Sequence, residues 1–213
     1  MKSLFNFKTM AFVMGAMVMG LFSSCSDSDD APEAPEQGLE VKTVMLSRKT
    51  NYGNDWIYFS LSQGKEIEVA EEKHMEDQSW DLAFNRYNIR TNSGKSGKGQ
   101  GGAFDTQLVD MAAVTEVPSG ISFTTDTDAE ITGSFTGSGV TYVSSTLNEV
   151  LGTAIKFQGP PPSYTPNNHV YIVKTADGKY AKVKVLGFHN EKGKSGFVSF
   201  QYAYQPDGSK NIK

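Results

Sequence analysis

An Asp-Gly pair, Asp177-Gly178, stands between two runs rich in β-branched and aromatic residues, 169–175 and 180–188. Such a pair supplies the backbone conformation that a tight turn between antiparallel strands demands, so this region is committed to a hairpin. The pattern continues across Lys192-Gly193-Lys194 into residues 195–204, where Phe197 and Phe200 sit among small and polar neighbours. Upstream, residues 55–61 (DWIYFSL) pass through Ser62-Gln63-Gly64-Lys65 into 66–70 (EIEVA), where apolar and acidic residues alternate. Residues 79–91 set Trp80, Leu82 and Phe84 against Asp81, Ala83 and Asn85. Further strand-like runs lie at 40–48, 121–125, 130–136 and 154–158. Only residues 144–151 (SSTLNEVL) read as a short helix, with a Ser or Thr cap and Glu149 inside. No amphipathic pattern is long enough for a helical bundle. The expected class is all-β: many antiparallel strands and hairpins, long glycine-rich loops, and at most a short helix.

A chain of 213 residues buries a core without covalent staples. Its single cysteine excludes an intramolecular disulfide, and with three histidines it excludes a cysteine-rich zinc site. A formal net charge of −4 argues against a nucleic-acid binder. The N-terminus reads separately from the fold. Lys2 and Lys8 precede an apolar run at 10–22, too short to span a bilayer and followed by Ser23-Ser24-Cys25. A cysteine directly after two small residues resembles a bacterial lipobox, with 1–24 as the signal peptide and Cys25 as the acylated residue. Residues 26–37 (SDSDDAPEAPEQ) carry five acids and no base, so 25–37 is expected to be an acidic, disordered tether. The acidity belongs to the tether, and the body at 38–213 is nearly neutral. Ser and Asp after the cysteine resemble the surface-export signal of Bacteroidetes lipoproteins. The expected location is the outer membrane, lipid-anchored, at the cell surface.

Three patterns mimic chemistry. Residues 97–102 (GKGQGG) match G-x-G-x-x-G, but a dinucleotide site needs a helix after that turn, and AFDTQLVDM leaves no room for one. Gly94-Lys95-Ser96 looks like a P-loop ending, yet the required earlier glycine is Ile89. His74 with Glu76, and His189 with Glu191, read as solvated surface pairs without a third ligand. No Ser-His-Asp set or paired carboxylates stand out, so no catalytic residue is assigned and the chain is not read as an enzyme.

The stretch from Trp80 to Gly94 (WDLAFNRYNIRTNSG), continuing as SGKGQGGA, resembles the signature of the HmuY family, haem-binding lipoproteins of Bacteroidetes. Residues 56–61 with Gly64-Lys65, the run Phe157-Gln158-Gly159-Pro160 with Tyr164, the strand Val170-Tyr171-Ile172-Val173, and Ala176-Asp177-Gly178 with Ala181-Lys182-Val183 are also similar to that family. The likeness runs from about residue 40 to 204. It implies a single HmuY-like domain over 38–213 that binds haem or a related porphyrin and passes it to a TonB-dependent receptor. It also implies two loops bearing axial ligands, whose positions fall at about Ser138 and at Gln158. Neither is a histidine or a methionine, so ligation must differ from the family pattern. His169, Tyr142 and Tyr164 are the other candidate ligands. As plain structure, His169 reads as an edge histidine, and the two tyrosines and Met111 as packing residues. Arg86, Arg90, Lys95 and Lys98 could meet propionates or simply be solvated. The alternative function is a relative that keeps the fold, binds no haem, and takes another small molecule or a partner protein.

Overall fold

Pairing between the hairpins builds two sheets. The computed structural model describes residues 38–159 and 161–213; the expected signal peptide at 1–24, Cys25, the expected tether to 37 and Pro160 lie outside them. The strands are β1 (Lys42–Met45), β2 (Ile57–Ser60), β3 (Lys65–Ile67), β4 (Leu82–Asn85), β5 (Asn88–Thr91), β6 (Gly102–Asp105), β7 (Thr127–Thr136), β8 (Gly139–Leu147), β9 (Ile155–Gln158), β10 (Ser163–Pro166), β11 (Val170–Lys174), β12 (Tyr180–His189) and β13 (Ser195–Gln205). One antiparallel sheet has the order β1-β13-β12-β11-β6 and a second the order β3-β2-β4-β5. The pairs β7–β8 and β9–β10 are separate hairpins.

The turn chemistry is that of the sequence. Between β11 and β12, Gly178 takes φ +86° and the Thr175 N–H donates to the Lys179 carbonyl at 2.9 Å. Between β12 and β13, the Asn190 side-chain oxygen accepts the N–H groups of Lys192 and Lys194. Such local bonds replace the ladder where the chain reverses.

Several strands are buried on both faces, which is why they read as unbroken apolar runs. In β2, Ile57 and Phe59 enter the core between the sheets, while Tyr58 and the preceding Trp56 enter a second cluster behind. In β11, Tyr171 and Val173 face the central core, and Val170 and Ile172 the opposite side. Phe200 joins the sheets, edge-on to Phe59 at 5.2 Å and stacked on Phe84 at 5.1 Å. Each such buried side chain contributes about 1.5–3 kcal/mol. Behind the larger sheet, Met111, Val114, Val117 and Ile212 form the cover. Behind the smaller one, Ile131 of β7 and Val143 and Leu147 of β8 pack on Trp56, Tyr58 and Trp80.

Three expectations are corrected. Residues 79–91 are not one strand: the chain reverses at Arg86-Tyr87 to make β4 and β5. Residues 144–151 are not a helix. Residues 144–147 finish β8, because Arg90 donates to Ser145 Oγ and the Thr146 carbonyl, and Ser96 to Thr146 Oγ1, which outweighs the local capping pattern. A single 3₁₀ turn, Leu151–Thr153, comes next. Residues 121–125 contribute only a bridge between Thr124 and Ala103.

The glycine-rich run wraps the buried Asn92. Its Nδ2 donates to the Asp77 and Trp80 carbonyls, its Oδ1 accepts the Gly99 N–H at 3.1 Å, and its carbonyl accepts the Gly101 N–H at 3.0 Å. A Cβ on Gly99 would stand 2.6 Å from the Asn92 carbonyl oxygen, and one on Gly101 2.7 Å from it. These glycines permit close backbone approach, and the chain leaves them as strand β6 rather than as a helix.

Candidate functional site

The β4–β5 turn holds a residue in an uncommon backbone state. Arg86 takes φ +54°, a conformation that favours glycine, and its side chain is nonetheless buried. Its guanidinium lies 4.1 Å from the Tyr52 ring centre, and its Nη2 donates to the Tyr164 hydroxyl at 2.8 Å. Its Nε is buried without a hydrogen-bond partner among the described residues. Neighbouring Asn85 pins the turn by donating to the carbonyls of Gly53 and Asp55. Backbone strain of this kind persists only where the surroundings enforce it, and it marks functional positions more often than chance.

Around Arg86 an aromatic shelf is assembled from four segments. Tyr87 stacks on Phe157 of β9 at 5.5 Å and 5° between planes. Phe157 meets Tyr164 of β10 at 5.2 Å, and Tyr164 meets Phe188 of β12 at 4.4 Å. Phe157 remains 44% exposed, so the shelf reaches solvent. Beside it lies a hollow of about 530 Å³ lined by Tyr87, Gly152, Thr153, Ile155, Lys156 and Phe157, within the range of small-molecule sites. A larger hollow of about 690 Å³ lies elsewhere, along Trp56–Tyr58 and Glu66–Ala70. Glu66 and Glu68 make it hostile to an anionic ligand, and its Arg48 is already paired with Asp55 at 3.0 Å. Size alone therefore does not choose the site.

The β7–β8 hairpin supplies the second apolar surface. Its inner half is anchored through Ile131, and the Gly53 N–H donates to the Thr132 carbonyl next to Tyr52. The register slips between Thr132 and Ser134, leaving Gly133 as a bulge. Phe135 and Val140 beyond it and Tyr142 beside it share one face and are 65%, 41% and 62% exposed. Ser134 and Thr141 hydrogen-bond on the other face at 2.8 Å.

The candidate residues fall into three places. Ser138 and Tyr142 sit on the β7–β8 hairpin, Ser138 at its tip with its hydroxyl 2.9 Å from that of Thr136. Gln158 and Tyr164 sit on the β9–β10 hairpin, Gln158 exposed at its turn end and Tyr164 within the shelf. His169 is apart from both, at the entry to β11, with Nδ1 2.9 Å from the Asp105 carboxylate. Tyr142 is not a packing residue, since it is largely exposed on β8; Met111 is one. Of the four cations, only Arg86 belongs to the shelf. Arg90 is buried over the Trp56 ring at 3.9 Å and bonded to Glu71, while Lys95 pairs with Asp128 and Lys98 with Glu76.

No sequence motif marks His189 as part of the site. It closes β12, is exposed, and its ring lies 5.8 Å from Tyr164. The packing of β10 on β12 creates this proximity. His74 does not pair with Glu76: its ring nitrogen meets the Glu71 carbonyl, and Glu76 holds Lys98.

No cluster of three or more metal-ligating side chains exists among the described residues. A porphyrin brings four nitrogens of its own and asks the protein for one or two donors, apolar contact and cations for its propionates. Imidazole, phenol, aromatic faces and a guanidinium are all present at the shelf, so the residues fit such a group.

Residues 52–202 match the family model described as HmuY protein. A search of curated proteins finds no match. Among solved structures, an apo HmuY analogue from Tannerella forsythia superposes with TM-score 0.64 at 23% identity, covering 80% of this chain and 100% of that one. A candidate HmuY-like haem-binding protein from Bacteroides vulgatus gives TM-score 0.63 at 24% identity, over 79% and 98% of the two chains. A candidate lipoprotein from Bacteroides fragilis gives 0.62 at 25%, over 82% and 100%.

Proposed function

Because this chain belongs to the HmuY protein family, we propose that it binds haem or a related porphyrin at the aromatic shelf as a surface lipoprotein and hands it to a TonB-dependent receptor. The observation that carries this reading is the shelf itself: Tyr87, Phe157, Tyr164 and Phe188 gathered around the strained, buried Arg86. Apolar porphyrin surface removed from water there is worth about 25 cal/mol per Å². Arg86, whose guanidinium borders Tyr52 and Tyr164, would offer the positive charge for a propionate. The exposed face of Phe135, Val140 and Tyr142 offers further apolar contact. When bound, haem supplies an iron centre for carriage rather than for turnover, and the reading is of a binding protein, not an enzyme.

The name of the Bacteroides vulgatus relative supports the haem assignment by analogy. Ser138 and Gln158 are weak donors to iron, which sets an expected spectrum. Titration of the protein with ferric and ferrous haem should shift the Soret band without producing a low-spin bis-histidine signature, and with weaker affinity than a bis-histidine relative. No spectral change in either oxidation state would end the haem reading and favour the relative that binds another small molecule or a protein.

The lipid anchor is proposed from the lipobox, and the Bacteroides fragilis relative is named as a candidate lipoprotein. Replacing Cys25→Ala should move the protein from the membrane fraction to the soluble fraction. Retention in the membrane would remove the anchor.

A further inference from the structure

We infer that His189, at the end of β12, is the iron ligand of this protein, in place of donors on the two hairpin tips. The inference rests on the porphyrin-binding reading above and assigns the donor within it.

The chain has three histidines, and two are already engaged. His74 directs Nδ1 at the Glu71 carbonyl and packs its ring on Tyr58 at 6.2 Å. His169 is held by Asp105 at 2.9 Å and lies off the shelf. His189 is exposed, and no hydrogen bond reaches either ring nitrogen among the described residues. His74 and His169 each keep a second ring nitrogen, but one packs on Tyr58 and the other sits by Asp105, whereas His189 is the imidazole beside the shelf, 5.8 Å from the Tyr164 ring and 6.2 Å from that of Phe188.

Its position is built by an irregularity. The β12–β13 register shifts between Val185 and Gly187 and again between Gly187 and His189. In a regular strand, adjacent residues point to opposite faces and could not both meet one ring. Here Phe188 is buried 4.4 Å from the Tyr164 ring, and His189 still lies 5.8 Å from it. Bulges re-aim side chains in this way and cluster beside functional sites.

The other donors are less well placed. The Tyr164 hydroxyl accepts from Arg86 at 2.8 Å. The exposed thioethers of Met45 and Met75 lie on β1 and beside Lys98, and Met111 is buried behind the larger sheet.

The test uses the full chain in detergent with two probes, ferric haem and metal-free protoporphyrin. The porphyrin reports the shelf alone, because it has no iron to ligate. His189→Ala should keep porphyrin affinity within about twofold, lose at least tenfold in haem affinity, and lose the parental Soret shift. His169→Ala should match the parent with both probes. A parental Soret band and haem affinity in His189→Ala would overturn the assignment and leave haem binding intact. Failure of the parent to bind either probe would overturn both the assignment and the reading beneath it.

Discussion

Replacing Asn92→Ala should destabilise the fold by about 3 kcal/mol, seen as a lowered urea midpoint with an unchanged slope. The side chain is fully buried and makes three hydrogen bonds, two as donor to Asp77 and Trp80 carbonyls and one as acceptor from the Gly99 N–H. Alanine removes the side-chain partner of all three backbone groups, of which the Trp80 carbonyl is buried. It also opens a void beneath a loop that closes tightly on residue 92. Gly99→Ala should produce a loss of similar size from the opposite side, since its Cβ would meet backbone both at Asn92 and, at 3.0 Å, at Ala176. An Asn92→Ala midpoint equal to the parent's would show that the loop is held by something other than Asn92.

The second large effect belongs to Asp81, which ties the two sheets together. One carboxylate oxygen accepts the Leu61 N–H, just after β2, at 2.8 Å, and the other accepts the Ala176 N–H, just after β11, at 3.0 Å. Asp81→Ala orphans both donors and should cost about 2–5 kcal/mol. Burial pushes this carboxyl above its ordinary value, and the two N–H groups only partly oppose the shift. The folded chain then keeps the proton at a pH where the unfolded chain has released it. Stability attached to the group is complete below the unfolded value and falls as pH rises through the folded one. The difference between the parent and the non-titrating Asp81→Asn should therefore be larger at low pH than at neutrality. Denaturation curves for both proteins across that range would check the sign, and a gap that widens with pH would refute it.

The hairpins around Gly64, Gly178 and Gly193 are legible in the sequence because turn chemistry is local. The turn at Arg86-Tyr87 is not, since it contains neither glycine nor an Asn-Gly pair and is held open by partners far along the chain. Strand β8 is hidden for a different reason. Its outer half has polar and apolar residues on a ribbon with no core to enforce alternation, while Ser144, Ser145 and Thr146 mimic a helix cap. At the site, Tyr164 is reached through resemblance. His189 reads only as a solvated partner of Glu191, because its nearness to Tyr164 depends on β10 lying across β12, a tertiary fact with no sequence period.

The bulge at Gly133 divides one ribbon into two regimes. Inward of it, Ile131 is 2% exposed and answers to the packing of two tryptophans. Outward, exposed Ser138 hydrogen-bonds its own hairpin neighbour, Thr136. A substitution at that tip exacts nothing from the core, so its donor can be exchanged while the scaffold stays intact. The side chain at residue 138 can thus vary independently of the buried residues that fix the scaffold.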